Sequence, residues 1–307
     1  MWAVTATATA DRRLMLVHAH PDDETIGNGV TMAKYVAEGA GVTLVTCTLG
    51  EEGEVLVPEL EHLGADHDDD LGPTRLAELE VAMAALGVTD FVRLGGDYRF
   101  RDSGMAYDDQ RRAVARDVLR EGTFWTADLL AATNELVPLI RDRRPHVLVT
   151  YDEIGAYGHP DHVQAHRVTM YGYLLAGMAS YRPDLGEPWS VPRLLWNTMS
   201  RARMREAVAR LRAAGDTESF ADWGLEPDDP PPGPEDIAVE ITSEEHVPAK
   251  LTAMRAHATQ ITEDGPFFAG TAVLGHAMWA TEHYRLVAGT PFPAADGPAD
   301  DLFAGLV

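Results

Sequence analysis

Leu14-Met15-Leu16-Val17-His18-Ala19-His20-Pro21-Asp22-Asp23-Glu24 opens on an apolar run and closes on two imidazoles and three carboxylates. Residues 14–18 read as a buried strand, and the charged residues after them as the loop into which it empties. Next, Ile26, Val30, Ala33 and Ala37 recur at helical spacing, and Gly39 is placed to end that helix. Residues 42–49 form a second β-rich run. Leu76, Leu79, Met83 and Leu86 make a second helical stripe closed by Gly87, and residues 91–94 a third strand. Leu129, Thr133, Leu136 and Ile140 mark a third helix, in which Pro138 predicts a kink or a late start. Residues 147–150 are continuously apolar, as a strand covered on both faces should be. This alternation specifies an α/β, Rossmann-like fold with a doubly covered, mostly parallel sheet.

The rest of the chain is placed around that sheet. Residues 1–12 read as a flexible tail, because they lack the basic region and long apolar stretch of a secretion signal. Residues 13–200 are the main domain, and residues 201–307 a smaller C-terminal α/β appendage packing on it. Within the appendage, residues 228–234 (DDPPPGP) read as a linker or turn, and 237–241 as a strand. Residues 243–259 read as a helix opened by a Ser-Glu-Glu cap. Residues 50–71 are an acidic, Gly-containing loop, and the polar residues 95–122 an ordered excursion or a lid.

Composition narrows the partners. A formal charge of −24 on 307 residues disfavours nucleic acid and anionic membranes, which are held by Lys and Arg. A neutral or cationic small molecule suits such a surface better. The single cysteine, Cys47, lies in an apolar run and reads as a small buried hydrophobe. No run of ~18 apolar residues is present to span a bilayer. A cytoplasmic protein is expected.

In open parallel sheets ligands bind beyond the carboxyl ends of the strands, which is where 18–24 falls. Gly27 and Gly29 just beyond allow close approach to a ligand. A charged turn capping a helix would account for Glu24, but poorly for His20 beside two aspartates. A second cluster, Tyr157-Gly158-His159-Pro160-Asp161-His162, follows the strand at 147–150. Pro160 suits a first helical position. Two imidazoles and one carboxylate are a catalytic zinc ligand set that leaves a fourth position open. His162 and His166, four apart on a helix, form a competing pair, though His166 lies deeper in the helix. His18 remains a competitor of His20. A dinucleotide site is disfavoured, since the first turn lacks Gly-x-Gly-x-x-Gly and its acids would repel a pyrophosphate.

Four motifs in order, LMLVHAHPDDE (14–24), TCTLGEEGEV (46–55), RDSGM (101–105) and YGHPDH (157–162), resemble the LmbE-like (PIG-L) zinc N-deacetylases. The likeness runs over residues 14–180 and returns at HATQI (257–261). Within the family it is strongest to the mycothiol-biosynthesis branch, which deacetylates N-acetylglucosaminyl-inositol. The resemblance implies a zinc-dependent amide hydrolase with metal ligands His20, Asp23 and His162, and Asp22 as general base. It implies that Tyr157 and a protonated His159 stabilise the oxyanion while Asp161 orients its neighbours. Either Asp22 or His159 would protonate the leaving amine. Glu54, Arg75, Asp102, Met105 and Gln260 are the implied substrate contacts. Their plainer readings are, in turn, a loop charge, a helix-start ion pair, a turn cap, a packing residue and a surface amide. Iron(II) fits the same ligand set. The competing functions are a mycothiol S-conjugate amidase, a deacetylase of another N-acetyl amino sugar, and a non-catalytic metal- or sugar-binding module.

Overall fold

A computed structural model describes residues 11–109, 112–226, 228–229 and 235–306. Residues 1–10 of the expected tail and 230–234 of the expected linker lie outside them. In chain order, β1 (Arg13–His18) leads to α1 (Asp23–Ala37), β2 (Gly41–Thr46), α2 (Leu71–Leu86) and β3 (Asp90–Arg93). A short antiparallel pair follows, β4 (Ala106–Tyr107) and β5 (Ala113–Val114). Then come α3 (Leu129–Arg143), β6 (Val147–Thr150), α4 (Gly155–Gly158), α5 (Pro160–Ala176), β7 (Arg193–Thr198) and α6 (Arg201–Ala213). The last elements are β8 (Val239–Thr242), α7 (Val247–Ala256) and β9 (Thr281–Gly289).

The main sheet has the order β3-β2-β1-β6-β7-β9-β8. Strands β3, β2, β1, β6 and β7 are parallel, and β9 and β8 join antiparallel. The chain leaves β1 toward β2 on one side and returns as β6 on the other. The crevice between the carboxyl ends of β1 and β6 is therefore a topological switch point, where open α/β sheets bind ligands. Both charged motifs empty into it.

The alternation of side chains along each strand splits the core in two. Leu14, Leu16, Leu44, Val147 and Val149 pack on one face with Met32, Leu79, Met83 and Tyr284. Met15, Val17, Val45 and Leu148 pack on the other with Leu136, Val137, Ile140 and Val168. Gly87, at φ 75°, ends α2 in the left-handed conformation that glycine adopts without a Cβ clash.

Three expectations are corrected. Helix α3 begins at Leu129 and contains Pro138, so the proline does not delay its start. Ser243 does not cap a helix: its Oγ bonds His246 Nδ1 at 2.7 Å, a 3₁₀ turn (Glu244–His246) intervenes, and α7 starts at Val247. Pro248, which has no N–H to satisfy and a φ already set for the first turn, is what fits that later start. Gly27 and Gly29 make room for other parts of the chain. A Cβ on Gly27 would lie 3.0 Å from Asn197 Nδ2, and one on Gly29 2.9 Å from Lys250 Cγ.

Residues after 201 supply β8 and β9 to the sheet and α7 against α1 and α2. Lys250 of α7 donates from Nζ to Glu282 Oε1 at 2.7 Å, and both side chains are almost fully buried. Glu282 also accepts the N–H groups of Val30 (3.0 Å) and Thr31 (2.8 Å) of α1. Lys250→Met strands that carboxylate without its counter-charge and should lower unfolding free energy by about 3–5 kcal/mol. Denaturant unfolding reads this, and a loss under about 1 kcal/mol, the ceiling of an exposed pair, would contradict it. Arg193, fully buried, similarly fastens the C-terminal segment. Its guanidinium donates to the carbonyls of Thr290 (2.9 Å), Pro291 (3.2 Å), Leu302 (2.6 Å) and Ala304 (2.9 Å). Among the described residues no helix is long and apolar enough to cross a membrane.

Candidate active site

The first motif arrives as β1 ends at His18, and α1 starts at Asp23 with Asp23 and Glu24 in its first turn, where the helix dipole favours acids. The second arrives after β6. Its residue His159 is the N-cap of α5, with Nδ1 accepting the Asp161 N–H at 3.1 Å, and Pro160 takes the first helical turn as expected. Two helix starts thus deliver the clusters to one crevice.

There Asp23 lies between the two imidazoles. Its Oδ2 is 3.2 Å from His20 Nδ1 and accepts the His20 N–H at 2.9 Å, while its Oδ1 is 3.3 Å from His162 Nε2. Neither ring nitrogen of the buried His162 makes a hydrogen bond among the described residues. Its ring stacks on Tyr151 at 4.2 Å. An imidazole held this way, with Nδ1 unpartnered and Nε2 spent only on the Asp23 carboxylate, suits a metal site. Two triplets, His20/His159/His162 and His20/Asp102/Asp161, have potential ligand atoms within 4.8 Å of one another among the described residues. They share His20, and neither includes Asp23, whose contacts are with His20 and His162.

His18 and His166 are engaged elsewhere. His18 Nε2 meets Asn28 Nδ2 at 3.0 Å, and burial pushes its pKa down to about 4, so it is a neutral core histidine. His166 Nδ1 bonds the Tyr151 carbonyl at 3.0 Å, and its ring packs on Trp196.

Asp22 is adjacent to Asp23 but makes neither of its imidazole contacts. Arg75 Nη2 donates to Asp22 Oδ2 at 3.0 Å, and Arg75 also donates to the carbonyls of Pro21 and Gly50. The backbone of Asp22 lies at φ 118°, a region disfavoured for any residue with a Cβ and costing about 1–3 kcal/mol. Burial raises its carboxyl to about 6 against the pull of Arg75, with Asp23 adding to the rise. That is a base's range near neutrality.

His159 differs from the expectation of a protonated ring. Burial, then the neighbouring imidazoles His20 and His162, push its pKa down to about 2. With Nδ1 accepting from Asp161, the neutral ring carries its proton on Nε2 and remains a donor. Tyr157 is half exposed, its ring 5.1 Å from His162 and 6.2 Å from His159, so the ring edges the same crevice. Asp161 is fully buried. It accepts from Ser103 through Oγ (2.5 Å) and N (2.8 Å) and stands 3.4 Å from His20 Nε2.

The five residues implied as substrate contacts separate. Asp102 is buried, 3.3 Å from His20 Nε2, and accepts the N–H groups of Glu52 and Gly104. Arg75 is buried against Asp22. Glu54 is exposed, its carbonyl receiving Gln260 Nε2 at 3.1 Å. Gln260 and Met105 are half-buried, and the Met105 carbonyl receives Arg116 Nε. Three arginines of the excursion are tied to one acid of the loop before it. The buried Glu52 carboxylate pairs with Arg101 (2.6 Å), Arg116 (2.6 Å) and Arg120 (3.1 Å).

Sequence reasoning missed Tyr151, which stacks on His162 and accepts the Ala19 N–H through its hydroxyl. Its position directly after β6 was the available signal. It also missed the buried pair of Glu24 and His257, for which HATQI was the only pointer.

A family model described as GlcNAc-PI de-N-acetylase (PIG-L) matches residues 15–172. The chain is 56% identical over 300 residues to a 1D-myo-inositol 2-acetamido-2-deoxy-alpha-D-glucopyranoside deacetylase of Kribbella flavida, covering 96% of this chain and 98% of that protein. It is 55% identical over 303 residues to a protein of the same name from a Nocardioides species, covering 97% and 100%. Among solved structures, N,N'-diacetylchitobiose deacetylase from Pyrococcus horikoshii matches with a TM-score of 0.57 at 17% identity, over 90% of this chain and 84% of that one. That last likeness is one of fold.

Proposed function

Because the chain belongs to the GlcNAc-PI de-N-acetylase (PIG-L) family, we propose that it is a metal-dependent hydrolase of N-acetylglucosaminyl-inositol in mycothiol biosynthesis. It removes the N-acetyl group, releases acetate and leaves the free amino sugar, and it acts in the cytoplasm. One observation carries the reading. The Asp23 carboxylate lies 3.2 Å and 3.3 Å from two imidazoles delivered by different strands, with Asp22 held beside them by Arg75.

His20, Asp23 and His162 would hold the ion, and two imidazoles with one carboxylate suit zinc, with iron(II) second. Bound there, zinc supplies Lewis acidity that polarises an amide carbonyl and acidifies water. The chain's own groups do the rest. Asp22, ionised above about pH 6, takes a proton from the attacking water. The amide carbon becomes tetrahedral, and its oxyanion receives the neutral His159 Nε2–H and the Tyr157 hydroxyl as donors. Asp22 then returns its proton to the nitrogen as the C–N bond breaks. Asp102 and Asp161 face the far nitrogen of His20 and fix the ring's orientation.

The test is release of primary amine from N-acetylglucosaminyl-inositol, detected by fluorescence, with and without chelator. Release that stops on chelation and returns with zinc supports the reading. Elemental analysis of the purified protein identifies the ion. A mycothiol S-conjugate run in parallel separates deacetylase from amidase by which amide is cut faster. Metal and sugar bound without amine from either substrate would mark a binding module instead.

A further inference from the structure

We propose that His257, acting through Glu24, is a positioning residue that holds Asp22 in its working geometry. The inference rests on the reading of Asp22 as the base. Glu24 does more than suit a helix's first turn. Its Oε2 reaches back to accept the Asp22 N–H at 3.0 Å, and its Oε1 accepts from the Thr25 hydroxyl at 2.6 Å and faces His257 Nε2 at 3.1 Å. Glu24, Thr25 and His257 are all fully buried. His257 comes from the far end of α7, 233 residues downstream of Glu24, so a tertiary contact holds this carboxylate.

Asp22 is where that matters. At φ 118° it needs restraint, since that region is disfavoured for a residue with a Cβ. Three restraints act on it. Arg75 holds the side chain, the N–H groups of Thr25 (3.0 Å) and Ile26 (2.9 Å) hold the carbonyl, and Glu24 holds the N–H. Of the three, the Glu24 restraint is the one that bonds directly to a side chain of the C-terminal part of the chain. Without the imidazole, a buried carboxylate loses a charge-assisted partner and is driven to rearrange. The Asp22 N–H is then released and the peptide turns toward ordinary dihedrals, which swings the carboxylate away. Asp23 keeps its own bond from the His20 N–H, so the metal triad is left standing.

His257→Leu removes the donor and keeps the bulk, while His257→Gln keeps a donor at about the position of Nε2. In the full-length, metal-loaded enzyme, His257→Leu should lower kcat about 30- to 100-fold with KM within about twofold, the scale of a misplaced catalytic group. Metal content should be unchanged, and His257→Gln should recover most of the rate. A crystal structure of His257→Leu should show Asp22 relaxed from its positive φ. The proposal is overturned if folded, metal-loaded His257→Leu turns over normally, if His257→Gln is as impaired as His257→Leu, or if Asp22 keeps its conformation in the variant. Should His257→Leu fail to fold, Glu24→Gln tests the same link: a similar kcat loss with metal retained supports it, and normal turnover overturns it. Wild-type protein that releases no amine, beside a relaxed Asp22 in the variant, would refute the proposed substrate and leave the positioning intact.

Discussion

Asp22→Asn lowers amine release from N-acetylglucosaminyl-inositol by about 10²–10⁴-fold at saturating substrate, the usual contribution of a positioned general base, while metal content stays at the wild-type level. The asparagine has the same shape, and its carbonyl oxygen can still accept from Arg75, which reaches Asp22 Oδ2 at 3.0 Å. What it lacks is a site for the water's proton. The pH profile gives a second readout. Burial raises the Asp22 carboxyl to about 6, with Arg75 opposing, and an ion bound by the adjacent Asp23 would draw it lower. The active form is the carboxylate, so kcat/KM falls as pH drops through a value at or below about 6. That acid limb should vanish in Asp22→Asn. Full turnover by a metal-loaded Asp22→Asn enzyme, or an unchanged acid limb, would remove Asp22 from the mechanism.

What could be read in advance follows from where the information is stored. The strands and helices that build the sheet are set by side-chain period, a local property, so residues 14–18, 91–94 and 147–150 fall within β1, β3 and β6 or a residue or so beyond them. That His20, Asp23 and His162 come together was legible for a related reason. Each lies just before or within the first turn of a helix that follows a parallel strand, and the sheet brings such helix starts to one edge. Side-chain direction is not local. Arg75 lies 53 residues from Asp22 and turns inward because Gly50, at φ 67°, leaves room where a Cβ would sit 2.0 Å from Nη1. The charge of His159 depends first on burial and on His20 from the other motif, neither visible in its own motif. Gly27 and Gly29 lie near the site in sequence but are spent on contact with β7 and α7.

His162→Ala should strip most of the metal from the purified protein, and activity with it. The imidazole is buried, and neither nitrogen makes a hydrogen bond among the described residues. Left so, such a group would cost about 1–3 kcal/mol. Ligation of an ion is the compensation the surroundings offer, since Nε2 faces Asp23 Oδ1 at 3.3 Å and the ring is clamped on Tyr151. Alanine removes a ligand and leaves a void against Tyr151, so His162→Leu, which refills the stack without a nitrogen, separates metal loss from packing loss. Both variants should be metal-poor by elemental analysis. His166→Ala, one helical turn on and bonded to the Tyr151 carbonyl, should keep its metal. If His162→Leu folds and retains a full complement of metal, ligation passes to the triplet of His20, Asp102 and Asp161. The ion would then stand on the far nitrogen of His20, away from Asp22, and the assignment of Asp22 as the base would fall with it.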